Sequence, residues 1–244
     1  SGLKAVSKTA ISYPMASKFR TGLTVAMFAL IIFTLMIFSV LNGIDNVTSK
    51  EPERVTGGYD IKATISPDLP IQGSVTEYLD LSDFTVIAAS SSAPAEIRES
   101  EGENSSYKEA KIVSLDDEFI KSTKWRMTHY DPKYGSTDRE IWNALLENPD
   151  LAIANATIIP SGDPFGPPDR SFKTSYLIAG DTTEMETFVV DARKQLSRVT
   201  PKQLKVIGVV ERLASGTGFG AQTATFYSKS GLASEIAGEK LPLD

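Results

Sequence analysis

The 244-residue sequence contains no cysteine and a single histidine, His129. No disulfide can therefore hold a folded part together, although about 200 residues can bury enough apolar surface to be stable without one. A structural zinc site normally uses four cysteine or histidine ligands, so none is expected here. His129 stands among aromatic and turn residues, and we predict that it lies in a loop.

Acidic residues are absent from the first 44 positions, whereas 31 of them follow. The same first segment contains four basic residues, of which Lys18 and Arg20 are the last two. From Asp45 onward, 21 basic residues stand against 31 acidic ones, a net charge of −10. A surface this acidic would repel a phosphate backbone, so nucleic acid is not expected as a partner.

Long apolar runs are also rare, and the sequence has one, which extends from Thr21 to Ile44 without a charge. As a helix rising about 1.5 Å per residue, it could cross a hydrocarbon core of about 30 Å with some tilt. Short basic flanks stay on the cytoplasmic side, so we predict a cell-membrane protein with a cytoplasmic N-terminus and residues 45–244 extracytoplasmic. A cleaved signal peptide is the alternative, but its apolar core would be shorter, and residues 41–44 make a poor cleavage site.

Two features of the N-terminal region suggest contacts with lipid and with another helix. Residues 1–20 resemble a short amphipathic segment at the cytoplasmic interface, in which Lys18 and Arg20 would face lipid phosphates. Within the span, Gly22 and Ala26 form a small-xxx-small pair, and Ala29 follows three residues later, so a second helix could approach closely. Small residues are also common in membrane helices generally, so both interpretations stay open.

After the span, the sequence predicts a charged linker over residues 45–58 and an α+β extracytoplasmic domain over residues 59–244. The domain begins as a strand–helix–strand unit. Residues 59–65 alternate in polarity, residues 75–79 suggest a short helix, and residues 84–89 suggest a buried strand. The Ser- and Glu-rich tract 90–106 predicts an exposed hairpin or loop.

Further strands and helices are predicted in the rest of the domain. Thr137 and Glu140 form a capping-box pattern, and the apolar residues after them, including Trp142, lie on one helical face. Further helices are predicted at 115–120 and 230–236. Strands are predicted at 107–113, 151–154, 187–190, 204–210 and 223–227.

Motifs for catalysis or cofactor binding are not found. Gly216, Gly218 and Gly220 do not match the spacing of nucleotide-binding loops and are predicted to form a flexible turn. The acidic triplet 116–118 could hold a metal, but it fits a helix N-terminus better. We therefore predict no catalytic, cofactor-binding or metal-binding residue and no enzymatic activity. Three sequons are candidate N-glycosylation sites if the source organism modifies them: Asn46, Asn104 and Asn155.

Residues 10–40 resemble the start of the C-terminal membrane half of an FtsX-like or MacB-like ABC transporter permease. In that family, a short cytoplasmic segment leads into a span that is followed by an extracytoplasmic domain. The matching positions at the membrane are Tyr13-Pro14, Arg20-Thr21-Gly22 and Ala26-Met27-Phe28. Looser matches in the outer part are Gly57–Ile61, Trp142–Leu145 and Val206–Val210.

This resemblance implies a fold, a function and partners. The fold is one N-terminal transmembrane helix followed by a MacB-like α+β core, with a porter-like part over about 59–95 and an inserted subdomain over about 96–236. The implied function is export or mechanotransmission, in which a separate cytoplasmic ABC ATPase moves the extracytoplasmic domain. Implied partners are that ATPase, the lipid bilayer, and a second permease subunit or a second copy of this chain.

One departure from the family leaves a second hypothesis open. Such permeases add about three more membrane helices after the outer domain, and no apolar run after Ile44 is long enough to be one. We therefore expect this chain to be part of a longer permease. The alternative is a single-pass anchored ectodomain that binds an extracellular ligand or a cell-wall enzyme.

Overall fold

The computed structural model describes residues 18–48, 56–65, 81–100, 106–159, 183–196, 200–211 and 223–241. The chain forms two compact units, Ser1–Glu51 and Pro52–Asp244. The first contains one apolar helix, and the second is a mixed α+β domain. The α+β class predicted from the sequence, with one apolar helix at the N-terminal end, is confirmed.

The helix of the first unit, α1, spans Lys18–Thr48. It extends beyond the apolar run at both ends and includes residues 45–48, which the sequence placed in the linker, so that part of the prediction is wrong. An established helix adds a hydrogen bond for each residue that joins it, so a few polar residues can continue it. None of residues 18–40 is buried within the chain.

The second unit contains seven strands and three α-helices among its described residues. The strands are β1 (Ser90–Glu99), β2 (Lys108–Leu115), β3 (Met127–Tyr130), β4 (Leu151–Asn155), β5 (Phe188–Lys194), β6 (Lys202–Val210) and β7 (Ala224–Lys229). The helices are α2 (Asp117–Ser122), α3 (Asp138–Glu147) and α4 (Leu232–Ala237). Single 3₁₀ turns lie at Leu81–Asp83 and Ala156–Ile158.

The sheet closes on itself. Its order is β3-β6-β4-β7-β2-β1-β5, and β5 also pairs with β6, so six of the strands form a ring. The β2–β7 and β4–β6 pairs are parallel, and the other four pairs around the ring are antiparallel. Closure pairs both edges of every ring strand over at least part of its length, which leaves little open edge for association with another sheet.

An irregularity in β6 lets this strand take two partners along one edge. Its first half pairs with β5 up to Val206, and β3 pairs from Gly208 onward. The register against β4 shifts at the same place, so Ile207 is an extra residue, as in a β-bulge. A Cβ on Gly208 would lie 3.2 Å from the Ile141 side chain, so glycine here allows α3 to pack closely on the sheet.

Two apolar cores lie on opposite faces of the strands. The interior core fills the ring and is covered by α4; its strand residues include Ala93, Ala95, Ile97, Ala110, Ile112, Ala152, Ala154, Val190, Ala192, Leu204, Val206, Ala224 and Phe226. The outer core lies between the sheet and helices α2 and α3; it includes Leu115, Ile120, Ile141, Trp142, Leu145, Leu151, Ile153, Ile207 and Tyr227. Alanines dominate the first core because a ring of six strands is narrow.

Three predictions for the start of the domain are wrong. Residues 59–65 and 84–89 contain no strand, and residues 90–99 of the supposed exposed loop form β1. The inward side chains at the start of β1 are small, which made this tract look like a loop in the sequence.

A proline lies within β1 without breaking its pairing. Ser100 N–H donates to Val189 O, so the backbone N–H groups of the even-numbered residues of β1 face β5. The nitrogen of Pro94 would face β5 in the same way. The pairing of β1 with β5 begins only at Ala95, however, so the N–H group that proline lacks is not needed for a hydrogen bond between these strands.

The remaining element predictions agree with the structure where they can be compared. All five later strands and all three helices form within a few residues of their predicted bounds. His129 lies in β3 and not in a loop, which corrects the sequence prediction. The division into subdomains near residue 95 falls within β1 and stays a prediction. The predicted helix at 75–79 and the glycine turn at 216–220 lie outside the described residues.

Candidate functional sites: the apolar helix and the linker anchor

Helix α1 carries the residues predicted to meet lipid and another helix. Lys18 and Arg20 are exposed in its first turn. Gly22, Ala26 and Ala29 are also exposed, and no described atom beyond the adjacent helix backbone lies within 4 Å of the position of a Cβ on Gly22. Their spacing brings the three small residues to one face of the helix. Among the described residues, that face of the helix is therefore exposed.

Two threonines of the helix form hydrogen bonds within it. Thr24 donates its hydroxyl to Arg20 O at 2.9 Å, and Thr34 donates to Leu30 O at 2.8 Å. These bonds within the helix remove the need for outside partners in an apolar environment. In the part of the chain that the structure describes, α1 is the one helix long and apolar enough to cross a membrane.

Near the start of the second unit, residues 57–59 form a short anchor. The carbonyl oxygen of Gly57 accepts a hydrogen bond from Lys124 N at 2.8 Å. The ring of Tyr59 lies 5.2 Å from the ring of Phe119, and its hydroxyl is 2.6 Å from Ser122 Oγ. Burial raises the pKa of Tyr59, so its hydroxyl stays protonated at neutral pH. The anchor therefore holds the linker to α2 and to the residues that follow it.

An aromatic cluster continues from the anchor into the outer core. Trp125 lies 5.3 Å from Phe119, 5.2 Å from Tyr227 and 6.2 Å from Trp142, measured between ring centroids. Trp142 donates its indole N–H to Trp125 O. Burial raises the pKa of Tyr227 to about 12. The linker anchor is thus in continuous contact with the sheet through side chains that sequence reasoning did not bring together.

The acidic triplet 116–118 serves as a helix start, as predicted. Asp116 accepts hydrogen bonds from Phe119 N and from Ala89 N, both at 2.7 Å. Burial raises the pKa of this carboxyl, although the two amides act in the opposite direction. Asp117 and Glu118 are exposed in the first turn of α2. The cap therefore also fixes the chain just before β1.

Two buried carboxylates join distant segments of the domain. Asp131, which follows β3, accepts hydrogen bonds from the amide and hydroxyl of Thr187 and from Lys133 N. Asp191 of β5 accepts from Ser100 and Arg98. Although burial opposes ionisation, these hydrogen bonds hold the pKa of both carboxyls below the usual value. Both groups therefore stabilise the domain in their charged form.

His129 is a poor candidate for catalysis. Its Nδ1 is buried and has no hydrogen-bond partner among the described residues. Desolvation lowers its pKa, so the ring is neutral at pH 7. No neighbouring carboxylate bonds to Nδ1 there, so the arrangement of a catalytic triad is not formed around this histidine. Within the described ranges, no group of three or more His, Cys, Asp or Glu is placed to hold a metal.

The outer face of β1 and β5 is polar, in contrast to the helix-covered side. Arg193 pairs with Glu96 at 2.7 Å and lies 3.6 Å above the Tyr107 ring, and Arg98 pairs with Asp191 at 2.9 Å. A shallow hollow of about 350 Å³ lies further along this face. Its lining includes Ser92, Pro94, Glu109, Lys111, Gln195 and Thr223. Glu109 and Lys111 are the charged residues of this lining.

The three sequons lie in different settings. Asn46 is in the last turn of α1, and Asn104 is outside the described residues. Asn155 ends β4, where its side-chain oxygen accepts from Thr225 N at 3.0 Å and its amide donates to Thr223 O at 3.3 Å. A glycan on Asn155 would be attached to the nitrogen that donates the second of these bonds. Glycosylation at all three sites stays a prediction.

Comparisons with known proteins give structural similarity at a low level and no sequence match. No family model matches the sequence, and no curated protein matches it. Among solved structures, the domain is similar to the extracellular domain of the noncanonic ABC-type transporter YknZ from Gram-positive bacteria, with 14% identity and a TM-score of 0.33. The match covers 63% of this chain and 59% of that one, so this chain spans less than two thirds of that structure.

Proposed function

We propose that this chain is a permease segment of an ABC transporter of the FtsX/MacB type. It would carry the motion of a separate cytoplasmic ATPase to an extracytoplasmic domain, for export or mechanotransmission. The observation that carries the proposal is the joining of an uncovered apolar helix of membrane length to an independent, closed α+β unit. The sequence resemblance around Tyr13-Pro14 and Arg20-Thr21-Gly22 supports the same family.

The charge distribution supports a cytoplasmic N-terminus and an extracytoplasmic domain. Lys18 and Arg20 stand at the start of α1, and no acidic residue precedes Asp45. Positive flanks of this kind are retained on the cytoplasmic side. The small-residue face at Gly22, Ala26 and Ala29 would contact a second permease subunit or a second copy of this chain.

The domain is suited to transmit motion and needs no catalytic residue for it. A ring of paired strands resists local deformation because bending one strand disturbs ladders on both sides. ATP hydrolysis would belong to the separate ATPase, and this chain would contribute binding surfaces. We propose no bound cofactor.

The absence of cysteine allows a direct test of orientation. We would introduce one cysteine at a time, Thr9→Cys before the helix and Ser92→Cys on the exposed face of β1, and treat intact cells with a membrane-impermeant maleimide. Labelling of Ser92→Cys without permeabilisation, and of Thr9→Cys only after it, is the expected result. The reverse pattern would contradict the proposed orientation.

The transporter assignment is tested by co-purification. The native gene product, purified in detergent from its own cells, should bring with it an ATPase encoded beside it, and Gly22→Leu should weaken association with a permease subunit. Leu23→Ile, one residue further around the helix, is the matched control and should change neither association. If no ATPase co-purifies, and the gene encodes no further apolar run of about 20 residues, the anchored-ectodomain hypothesis replaces this one.

A further inference from the structure

The segment Gly57–Tyr59, called the strap below, lies against α2 and the residues that follow it. Gly57 O accepts a hydrogen bond from Lys124 N, and the hydroxyls of Tyr59 and Ser122 share another. Residues 60–64, which follow it, are exposed, and Ile61 keeps 73% of its surface accessible. In the part of the chain that the structure describes, these contacts attach the strap at α2 and at residues 123–125 just after it.

Two adjacent glycines make the strap costly to hold in place. Gly57 has φ +73° and Gly58 has φ +94°, both in the left-handed region. Glycine loses more conformational freedom on folding than any other residue, so two fixed glycines regain the most freedom when released. A side chain at Gly57 would lie 3.1 Å from Thr123 Oγ1 and 3.3 Å from Trp125, so glycine is required for this close contact.

The group beneath the strap also favours opening. Trp125 Nε1 is buried and has no hydrogen-bond partner among the described residues. The position of a Cβ on Gly57 is 3.3 Å from this nitrogen, so the strap lies over it. A buried N–H without an acceptor is unfavourable, and water would satisfy it once the strap lifts. The ring itself would keep its contacts with Tyr227 and Trp142.

We propose that the strap is a releasable latch, which opens locally and uncovers Trp125 while the ring of strands stays folded. This local equilibrium belongs to the outer domain itself and exists whether or not the protein transports anything. Anything that pulls on or binds the linker shifts it toward the open form, because only the closed form holds residues 57–59 in place. The latch is thus a point at which events at the linker change the surface of the domain.

Hydrogen exchange of the full-length chain in detergent tests the latch. The Lys124 amide, bonded to Gly57 O, should exchange by local opening and at least about 10-fold faster than the Asp131 amide, which donates to Ile207 O within the domain. Tyr59→Ala removes the ring contact and the hydroxyl bond, so it should accelerate Lys124 exchange by about 10-fold or more. The Asp131 rate should not change.

Two further variants and a second readout make the test decisive. Ile61→Ala alters an exposed side chain of the same segment and should leave both rates unchanged. Tyr59→Phe keeps the ring contact and loses only the bond to Ser122, so its effect on Lys124 should be smaller than that of Tyr59→Ala. Quenching of tryptophan fluorescence by iodide should increase in Tyr59→Ala. Equal exchange of Lys124 and Asp131, or equal acceleration of both by Tyr59→Ala, would overturn the latch.

Discussion

The interior core and the outer core of the domain use different side chains for the same purpose. Inside the ring, inward positions are mainly occupied by alanine and by a few larger residues such as Ile97 and Phe226. Beneath α3, the core consists of large side chains such as Trp142, Ile141 and Leu145. The first core is limited by the diameter of the ring, and the second by the distance at which a helix packs on a sheet.

This difference explains which elements the sequence revealed. Large apolar residues at helical spacing predict α3 and its core clearly. Small inward residues do not predict a strand. Ser91, Ala93 and Ala95 of β1 are residues that are also common in loops. β1 was therefore hidden from hydrophobicity patterns, whereas the ring strands with larger apolar residues were not. The two cores should also respond differently to substitution: removal of a large side chain should destabilise the outer core, and enlargement of a small one the interior core.

The largest effect is expected from a deletion in the outer core. Trp142 is fully buried, so Trp142→Ala would leave a cavity and should lower the free energy of unfolding by about 3–5 kcal/mol. Urea unfolding in detergent, followed by circular dichroism, measures it. Asn143→Ala, at the exposed neighbouring position of α3, is the control and should have little effect. If the two variants lower the free energy of unfolding equally, Trp142 is not buried in the outer core as described.

Enlargement should be the damaging change in the interior core. Ala93 is 1% exposed, so Ala93→Leu would overpack the ring and should cost about 1–3 kcal/mol of stability. Ser92 is exposed on the other face of the same strand, and Ser92→Leu should be close to neutral. Both are measured by tryptophan fluorescence during urea unfolding, since Trp125 and Trp142 both lie in the α+β domain. If Ser92→Leu is as damaging as Ala93→Leu, the assigned faces of β1 are wrong.

An intermediate effect, dependent on pH, is expected at Asp131. Its folded pKa is lowered, so its stabilising contribution is present above the unfolded pKa of about 3.9 and is lost as the pH falls through the folded pKa. Asp131→Asn should cost about 1–2 kcal/mol at pH 7 and flatten the loss of stability below about pH 5. Unfolding at a series of pH values measures it. The control is Glu109→Gln on the outside of β2, whose plot of stability against pH should run parallel to that of the unmodified protein. If the plot for Asp131→Asn is also parallel, the Asp131 carboxylate does not contribute to the pH dependence of stability.

The smallest effect is expected at the start of α3. Thr137 accepts a hydrogen bond from Glu140 N, so Thr137→Ala should lower stability by about 1 kcal/mol. Thr137→Ser keeps the hydroxyl and should restore most of the loss. In a capping box, the Glu140 side chain would accept from the backbone N–H of the cap residue itself. Here it accepts from Ser136 N, one residue before the cap. If alanine and serine at this position give the same stability, the cap contributes nothing measurable.

Much of the domain could be predicted because local signals agreed with the final contacts. Asp116 and Thr137 mark helix starts by their own hydrogen bonds, and the apolar residues of β4 and β6 are buried on both faces of the sheet. The linker anchor could not be predicted in the same way. Tyr59 alternates with its neighbours as a strand residue would, yet its ring packs on Phe119, 60 positions away in sequence. The pair Gly57-Gly58 before an aromatic residue was the only local signal.

The sequence by itself determined the features that depend on composition and short-range order. It established an uncharged helix of membrane length, a basic flank before it, an acidic α+β domain after it, and the positions of most strands. The tertiary structure alone decided that β5 returns to pair with β6 and closes the ring, that β1 is a strand, and that the linker is held at α2. These features depend on contacts between residues far apart in the chain, and no local pattern of polarity specifies which strand an edge will meet.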